Sequence, residues 1–120
     1  MKSLYIHIPF CNRICSYCDF PKVFYNGKIM EYLKSLEKEI KENYNDDLIN
    51  TIYIGGGTPS SLNIEELKEL FRIINNNINR KKVEEYTIEC NIDSITEEKL
   101  ILFKQNKVNR LSIGIQSFDK

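Results

Sequence analysis

Apolar Leu4, Ile6 and Ile8 alternate with Tyr5 and His7 near the start of the chain, the period of a half-buried strand that Pro9-Phe10-Cys11 then stops. From Lys28 to Tyr44 the repeat lengthens, with Ile29, Leu33, Leu36, Ile40 and Tyr44 spaced as one face of a helix. Thr51 to Ile54 is a β-branched and aromatic run cut off by Gly55-Gly56-Gly57, a strand followed by a loop. Asn63, with Glu66 in the partnering position, caps a second helix whose buried stripe is Ile64, Leu67, Leu70, Phe71, Ile74 and Ile78. Tyr86 to Cys90 reads as a third strand. Thr96 followed by Glu97 and Glu98 opens a third helix with Leu100 and Phe103 on one face, and Leu111 to Ile115 alternates as a fourth strand. Asn75 to Asn79 are expected to be the frayed end of the second helix, and Glu37, Lys38, Glu39 and Lys41 a solvated face.

The order is therefore βαβαβαβ. Its connections are long enough for right-handed crossovers, so the strands should be parallel and covered by helices, an α/β arrangement. In parallel barrels the working groups collect at the C-terminal strand ends. Those ends are Cys11, the Gly55 to Thr58 turn, Glu89 and Gln116, which places all of them at one rim. Side-chain alternation puts Tyr5 and His7, Thr87 and Glu89, and Arg110, Ser112, Gly114 and Gln116 on the face away from the helices. Cys90 alternates with Glu89 and should point into the helices beside Tyr86 and Ile88, as a structural cysteine.

Composition narrows the function. The 120 residues hold 17 Lys plus Arg against 17 Asp plus Glu, which removes the basic field that would gather nucleic acid. The longest apolar runs, such as Leu100 to Phe103, fall far short of the roughly 20 residues that span a bilayer. The strand pattern begins within a few residues of Met1, leaving no signal peptide in view, so a cytoplasmic location is expected. In that compartment thiols stay reduced, and four cysteines point to ligands or catalysis rather than to disulfides.

Three of them form Cys11-Asn12-Arg13-Ile14-Cys15-Ser16-Tyr17-Cys18, a C-x3-C-x2-C run directly after the first strand. Three thiolates can hold three irons of a four-iron cubane and leave the fourth open to another ligand. The same trio completed by His7 would also suit a structural zinc ion.

C-x3-C-x2-C with an aromatic residue, Tyr17, before the last cysteine resembles the signature of the radical S-adenosylmethionine (SAM) superfamily. The resemblance implies that Cys11, Cys15 and Cys18 hold a [4Fe–4S] cluster whose open iron takes SAM, which is cleaved to a 5′-deoxyadenosyl radical. It implies a partial parallel (β/α) barrel of that family's type, represented here by its first four strands and three helices. Gly55-Gly56-Gly57-Thr58-Pro59 resembles the family's glycine motif at the SAM amino group, carried by Gly56, Gly57 and Thr58. By the same matching, Glu89 would hydrogen-bond the SAM ribose, and Gln116 and Tyr5 would contact SAM.

Tyr5 to Cys11, the cysteine loop, Gly55 to Ser60 and Asn109 to Phe118 together resemble the coproporphyrinogen III oxidase-like group. Its oxidases carry a further cysteine two positions after the third cluster cysteine, where this chain has Phe20. C-x3-C-x2-C-x-F is the pattern of the group's heme chaperones, which bind heme and pass it to acceptor proteins. That implies heme or porphyrin and heme-acceptor proteins as partners, with oxygen-independent coproporphyrinogen III oxidase as the alternative activity in porphyrin biosynthesis. Lys107 stands where the group usually has Gly, and Ile92 where a Pro usually follows Asn91. Residues 1–120 are accordingly expected to be the N-terminal part of a longer radical SAM core.

Overall fold

The helices that open at Ile64 and Glu97 each begin where a short polar side chain takes up backbone N–H groups that the first turn leaves free. In the computed structural model, which describes residues 2–9, 28–57 and 59–114, the chain runs through β1 (Ser3–Ile8), α1 (Lys28–Asn43), β2 (Thr51–Gly56), α2 (Ile64–Asn77), β3 (Glu85–Asn91), α3 (Glu97–Gln105) and β4 (Arg110–Gly114). The Asn63 carboxamide accepts from the Glu66 amide at 2.8 Å, and the Glu66 carboxylate accepts from the Asn63 amide at 2.8 Å, a reciprocal box that starts α2. Thr96 Oγ1 accepts from the Lys99 amide at 3.2 Å and starts α3.

The strands pair in the order β1-β2-β3-β4, and every pairing is parallel. Register aligns Tyr5, Tyr53, Thr87 and Arg110 across the sheet, then His7 with Gly55 and Glu89 with Ser112 at the next polar level. The intervening residues Ile6, Ile8, Ile52, Ile54, Tyr86, Ile88 and Cys90 are buried in one cluster with Ile29 and Leu33 of α1, Leu67, Leu70, Phe71, Ile73 and Ile74 of α2, and Phe103 of α3. Phe71 sits at its centre, edge-on to Tyr86 at 6.3 Å and to Phe103 at 6.1 Å between ring centroids. The Tyr86 hydroxyl is buried there with no hydrogen-bond partner among the described residues. No helix among the described residues is long and apolar enough to cross a membrane.

Three expectations about the helices need correction. Asn75 to Asn77 belong to α2, and the Asn77 amide donates to Glu37 at 2.9 Å and to the Ile73 carbonyl at 2.8 Å. Glu37 is not on a solvated face. It reaches across to α2, with Arg72 at 3.1 Å, because α1 packs directly on that helix. The Asn77 and Arg72 hydrogen bonds hold its carboxyl below the usual range. In α3 the buried pair is Leu102 and Phe103, while Leu100 stays exposed, since this short helix meets the core over a single turn.

Both family departures sit in turns of defined geometry. Lys107 adopts a left-handed φ of 74° just beyond α3, where its amide donates to Lys104 O at 3.0 Å and the Val108 amide to Phe103 O at 3.0 Å. This is the Schellman closure that glycine favours. Ile92 is exposed and opens a short 3-10 turn, Ile92–Ser94.

Candidate functional site

At its C-terminal end the sheet carries a cluster of phenols, an imidazole and one carboxylate on the face away from the helices. Glu89 leaves β3 and leans over β2. Its Oε2 accepts from the Tyr53 hydroxyl at 2.6 Å and its Oε1 from the Gly56 amide at 3.1 Å. The path is open only because Gly55 lacks a side chain. A Cβ there would stand 2.9 Å from the Tyr53 ring, 3.0 Å from Glu89 Oε1 and 3.0 Å from the Tyr5 hydroxyl. Tyr5 stacks on Tyr53 at 5.8 Å and shares a 3.2 Å hydrogen bond with His7 Nδ1, yet remains 56% exposed. It is therefore not a packing tyrosine.

Gly56 has its own reason. Its φ is +114°, and a Cβ would lie 2.4 Å from the Ile8 carbonyl oxygen and 2.7 Å from the Ile8 nitrogen. The Gly57 amide then donates to that same Ile8 carbonyl at 2.6 Å. The glycine turn thus closes against the end of β1, and the Tyr32 hydroxyl of α1 donates to the neighbouring His7 carbonyl. Gly56, expected to admit a ligand, is required first by the chain's contact with itself.

Beneath the turn lies a polar knot that sequence reasoning did not single out. The buried Ser60 hydroxyl accepts from the Asn91 amide at 2.9 Å and lies 2.5 Å from the Ser94 hydroxyl. The Lys99 ammonium donates to the Ser60 carbonyl at 2.7 Å and to the Ser94 carbonyl at 3.3 Å. Burial holds its pKa below that of an ordinary lysine. This knot fixes the exit of the glycine turn to the end of β3. Nothing in the spacing of Ser60, Ser94 and Lys99 marks it, because the three meet only through the parallel pairing.

Of the predicted site residues, Tyr5, Gly56, Gly57 and Glu89 are brought to one rim. Cys11, Cys15, Cys18, Tyr17, Thr58 and Gln116 lie outside the described residues, as does Phe20. Cys90 points into the helices as expected. Burial pushes its thiol up to about 11, which keeps it protonated and unlike a metal-binding thiolate. The missed residue is Tyr53. Its signal was its place in the alternation, opposite Ile52 and Ile54 and in register with Tyr5. The hydrogen bond to Glu89 raises the Tyr53 phenol above its usual pKa, so it stays a donor.

The rim's chemistry fits a hydroxylated ligand with an aromatic part. Glu89 makes no ion pair among the described residues, accepts its two bonds from β2, and lies beside the exposed Tyr5 ring. Such a carboxylate retains lone pairs for incoming O–H donors.

Residues 5–120 match the model of the Radical SAM superfamily. Heme chaperone HemW of Bacillus subtilis is 47% identical over 99% of this chain and 33% of its own length. The protein of that name from Lactococcus lactis is 40% identical over 98% of the chain and 31% of its own. The chain thus spans about a third of the length of these curated relatives. Among solved structures, coproporphyrinogen III oxidase (HemN) of Escherichia coli, titled a radical SAM enzyme, superposes with a TM-score of 0.81 at 32% identity, covering 98% of this chain and 28% of that one. A four-stranded parallel sheet, a carboxylate and glycine turn at its C-terminal rim, and a family match over nearly the whole length have one common reading: the chain belongs to the radical SAM superfamily.

Proposed function

We propose that this chain is the cluster- and SAM-binding portion of a cytoplasmic heme chaperone, which binds heme and passes it to acceptor proteins. Cys11, Cys15 and Cys18 would hold a [4Fe–4S] cluster, for which soft thiolate donors in a C-x3-C-x2-C run are suited. Tyr17, Tyr5, Gly56, Gly57, Thr58, Glu89 and Gln116 would line the SAM site. When bound, the cluster would supply the electron that cleaves the SAM sulfonium. The protein's own share would be to orient the nucleoside. Glu89 accepts from its hydroxyls, and the Gly56–Gly57 turn presents backbone without a Cβ in the way.

The observation that carries the chaperone reading is Phe20. The group's oxidases place a fourth thiol there, and a benzyl side chain can neither ligate nor donate a proton. The chaperone name borne by the Bacillus and Lactococcus relatives supports it. The alternative, oxygen-independent coproporphyrinogen III oxidase, is favoured by the structural match to the Escherichia coli enzyme.

The deciding experiment uses the full-length protein that contains this segment, reconstituted without oxygen and given SAM, a reductant and coproporphyrinogen III. Heme binding without formation of protoporphyrinogen IX is expected. Multiple turnovers to protoporphyrinogen would restore the oxidase. In the same preparation Cys15→Ser should abolish the cluster's absorption near 400 nm while Cys90→Ser keeps it. A colourless wild type that retains zinc would sink the iron assignment altogether.

A further inference from the structure

Glu89 can serve a ligand only if its carboxylate is held still, and the structure shows what holds it. A glutamate has three side-chain torsions to fix, and an unrestrained one samples several staggered rotamers. Here each oxygen has its own donor, Tyr53 Oη at 2.6 Å and Gly56 N at 3.1 Å, and both donors belong to β2. Tyr53 is itself restrained by stacking on Tyr5. Two bonds from one strand engage one lone pair on each oxygen and leave the other on each to accept from a ligand. A pair of adjacent hydroxyls is the donor set that such a carboxylate matches.

We propose that Tyr53 is a positioning residue that sets the orientation of Glu89 and thereby the preference of this rim for a nucleoside with an intact 2′,3′-diol. The proposal rests on the reading of Glu89 as the ribose contact and deepens it. Tyr53 itself touches no ligand. Gly55 is the other half of the device, since a Cβ there would crowd the Tyr53 ring and Glu89 Oε1 at once.

The test is calorimetric binding of S-adenosylhomocysteine and of its 3′-deoxy analogue to the full-length, cluster-loaded protein, compared with variants of equal iron content. Hydrogen bonds to charged groups being worth what they are, Tyr53→Phe should weaken the diol ligand roughly tenfold while barely changing the deoxy ligand. The ratio between the two then falls towards unity. A Tyr53 that was merely structural would weaken both ligands alike and leave the ratio at the wild-type value, and that outcome overturns the proposal. Gly55→Ala crowds the Tyr53 ring and Glu89 Oε1 together and should lower the ratio too. Should Tyr53→Phe prove poorly folded, that variant decides instead: a wild-type ratio in Gly55→Ala overturns the proposal. Glu89→Gln separates the two layers of the argument. If it keeps the wild-type ratio, the ribose reading of Glu89 itself fails. If it collapses the ratio while Tyr53→Phe does not, only the role of Tyr53 fails.

Discussion

The two faces of the same four strands have been built to opposite ends. One face, reached by Ile6, Ile8, Ile52, Ile54, Tyr86, Ile88 and Cys90, is packed shut under three helices. The other, one residue out of step, presents Tyr5, His7, Tyr53, Glu89 and Arg110; among the described residues no helix lies over it, and Tyr5 and His7 are exposed. On the first, burial of apolar area dominates, and each side chain matters by its volume. On the second, hydrogen bonds to one carboxylate dominate, and each residue matters by which atom it donates. A substitution's cost should therefore depend on its parity along the strand more than on its distance from the rim.

The largest effect should come from emptying the packed face. Phe71 is 1% exposed and touches rings from both the sheet and α3, so Phe71→Ala should cost about 3–5 kcal/mol in denaturant unfolding of the full-length protein. Tyr53→Phe, on the open face, should cost far less. Equal losses for the two would break the comparison.

A middle-sized effect sharpens it through pH. The Cys90 thiol titrates at about 11 in the folded chain, because burial disfavours the thiolate, against roughly 8.5 when unfolded. Above the unfolded value the unfolded chain gives up the proton and the folded chain keeps it, so stability declines as pH rises from about 9 to 11. The contribution of Cys90 is on the order of 2 kcal/mol over that window. The buried Tyr86 phenol, also raised, adds a loss of the same sign at higher pH. Cys90→Ala should flatten the decline of stability between pH 9 and 11, and an unchanged slope would place the thiol in contact with water.

The smallest effect lies outside both faces. Lys107 holds φ at 74°, so Lys107→Gly should stabilise by roughly 0.5–1 kcal/mol, read as a higher denaturation midpoint at constant m-value. A loss of stability would mean that the lysine side chain contributes more than its backbone strain costs.

Much of this was readable beforehand, for identifiable reasons. Asn63 and Glu66, or Thr96 before two glutamates, act within a single turn of helix, and local spacing reveals local hydrogen bonds. The parity of Cys90 against Glu89 followed from strand geometry alone. What escaped notice was always a meeting between distant segments. Glu37 looked like any charged helix residue until Arg72 and Asn77 were placed against it. Tyr53 looked like an ordinary strand aromatic until β3 brought Glu89 alongside. Even the glycines were half understood, because the tripeptide announces that side chains are excluded without saying whether a ligand or the chain itself occupies the space.

That last point bears on how metal would enter the protein. The strand that leads into the cysteine segment ends at Ile8, whose carbonyl is tied to Gly57, and the next carbonyl back, at His7, is tied to Tyr32 on the helix that follows the segment. Both flanks of the cysteine run are therefore secured by contacts that involve no cysteine. Bringing the ends of a long segment together has an entropic cost that grows with the logarithm of its length, and here contacts of the sheet and α1 bear it. A cluster of the kind proposed would then assemble on a framework already closed, unlike a zinc finger, whose fold exists only once the ion is bound.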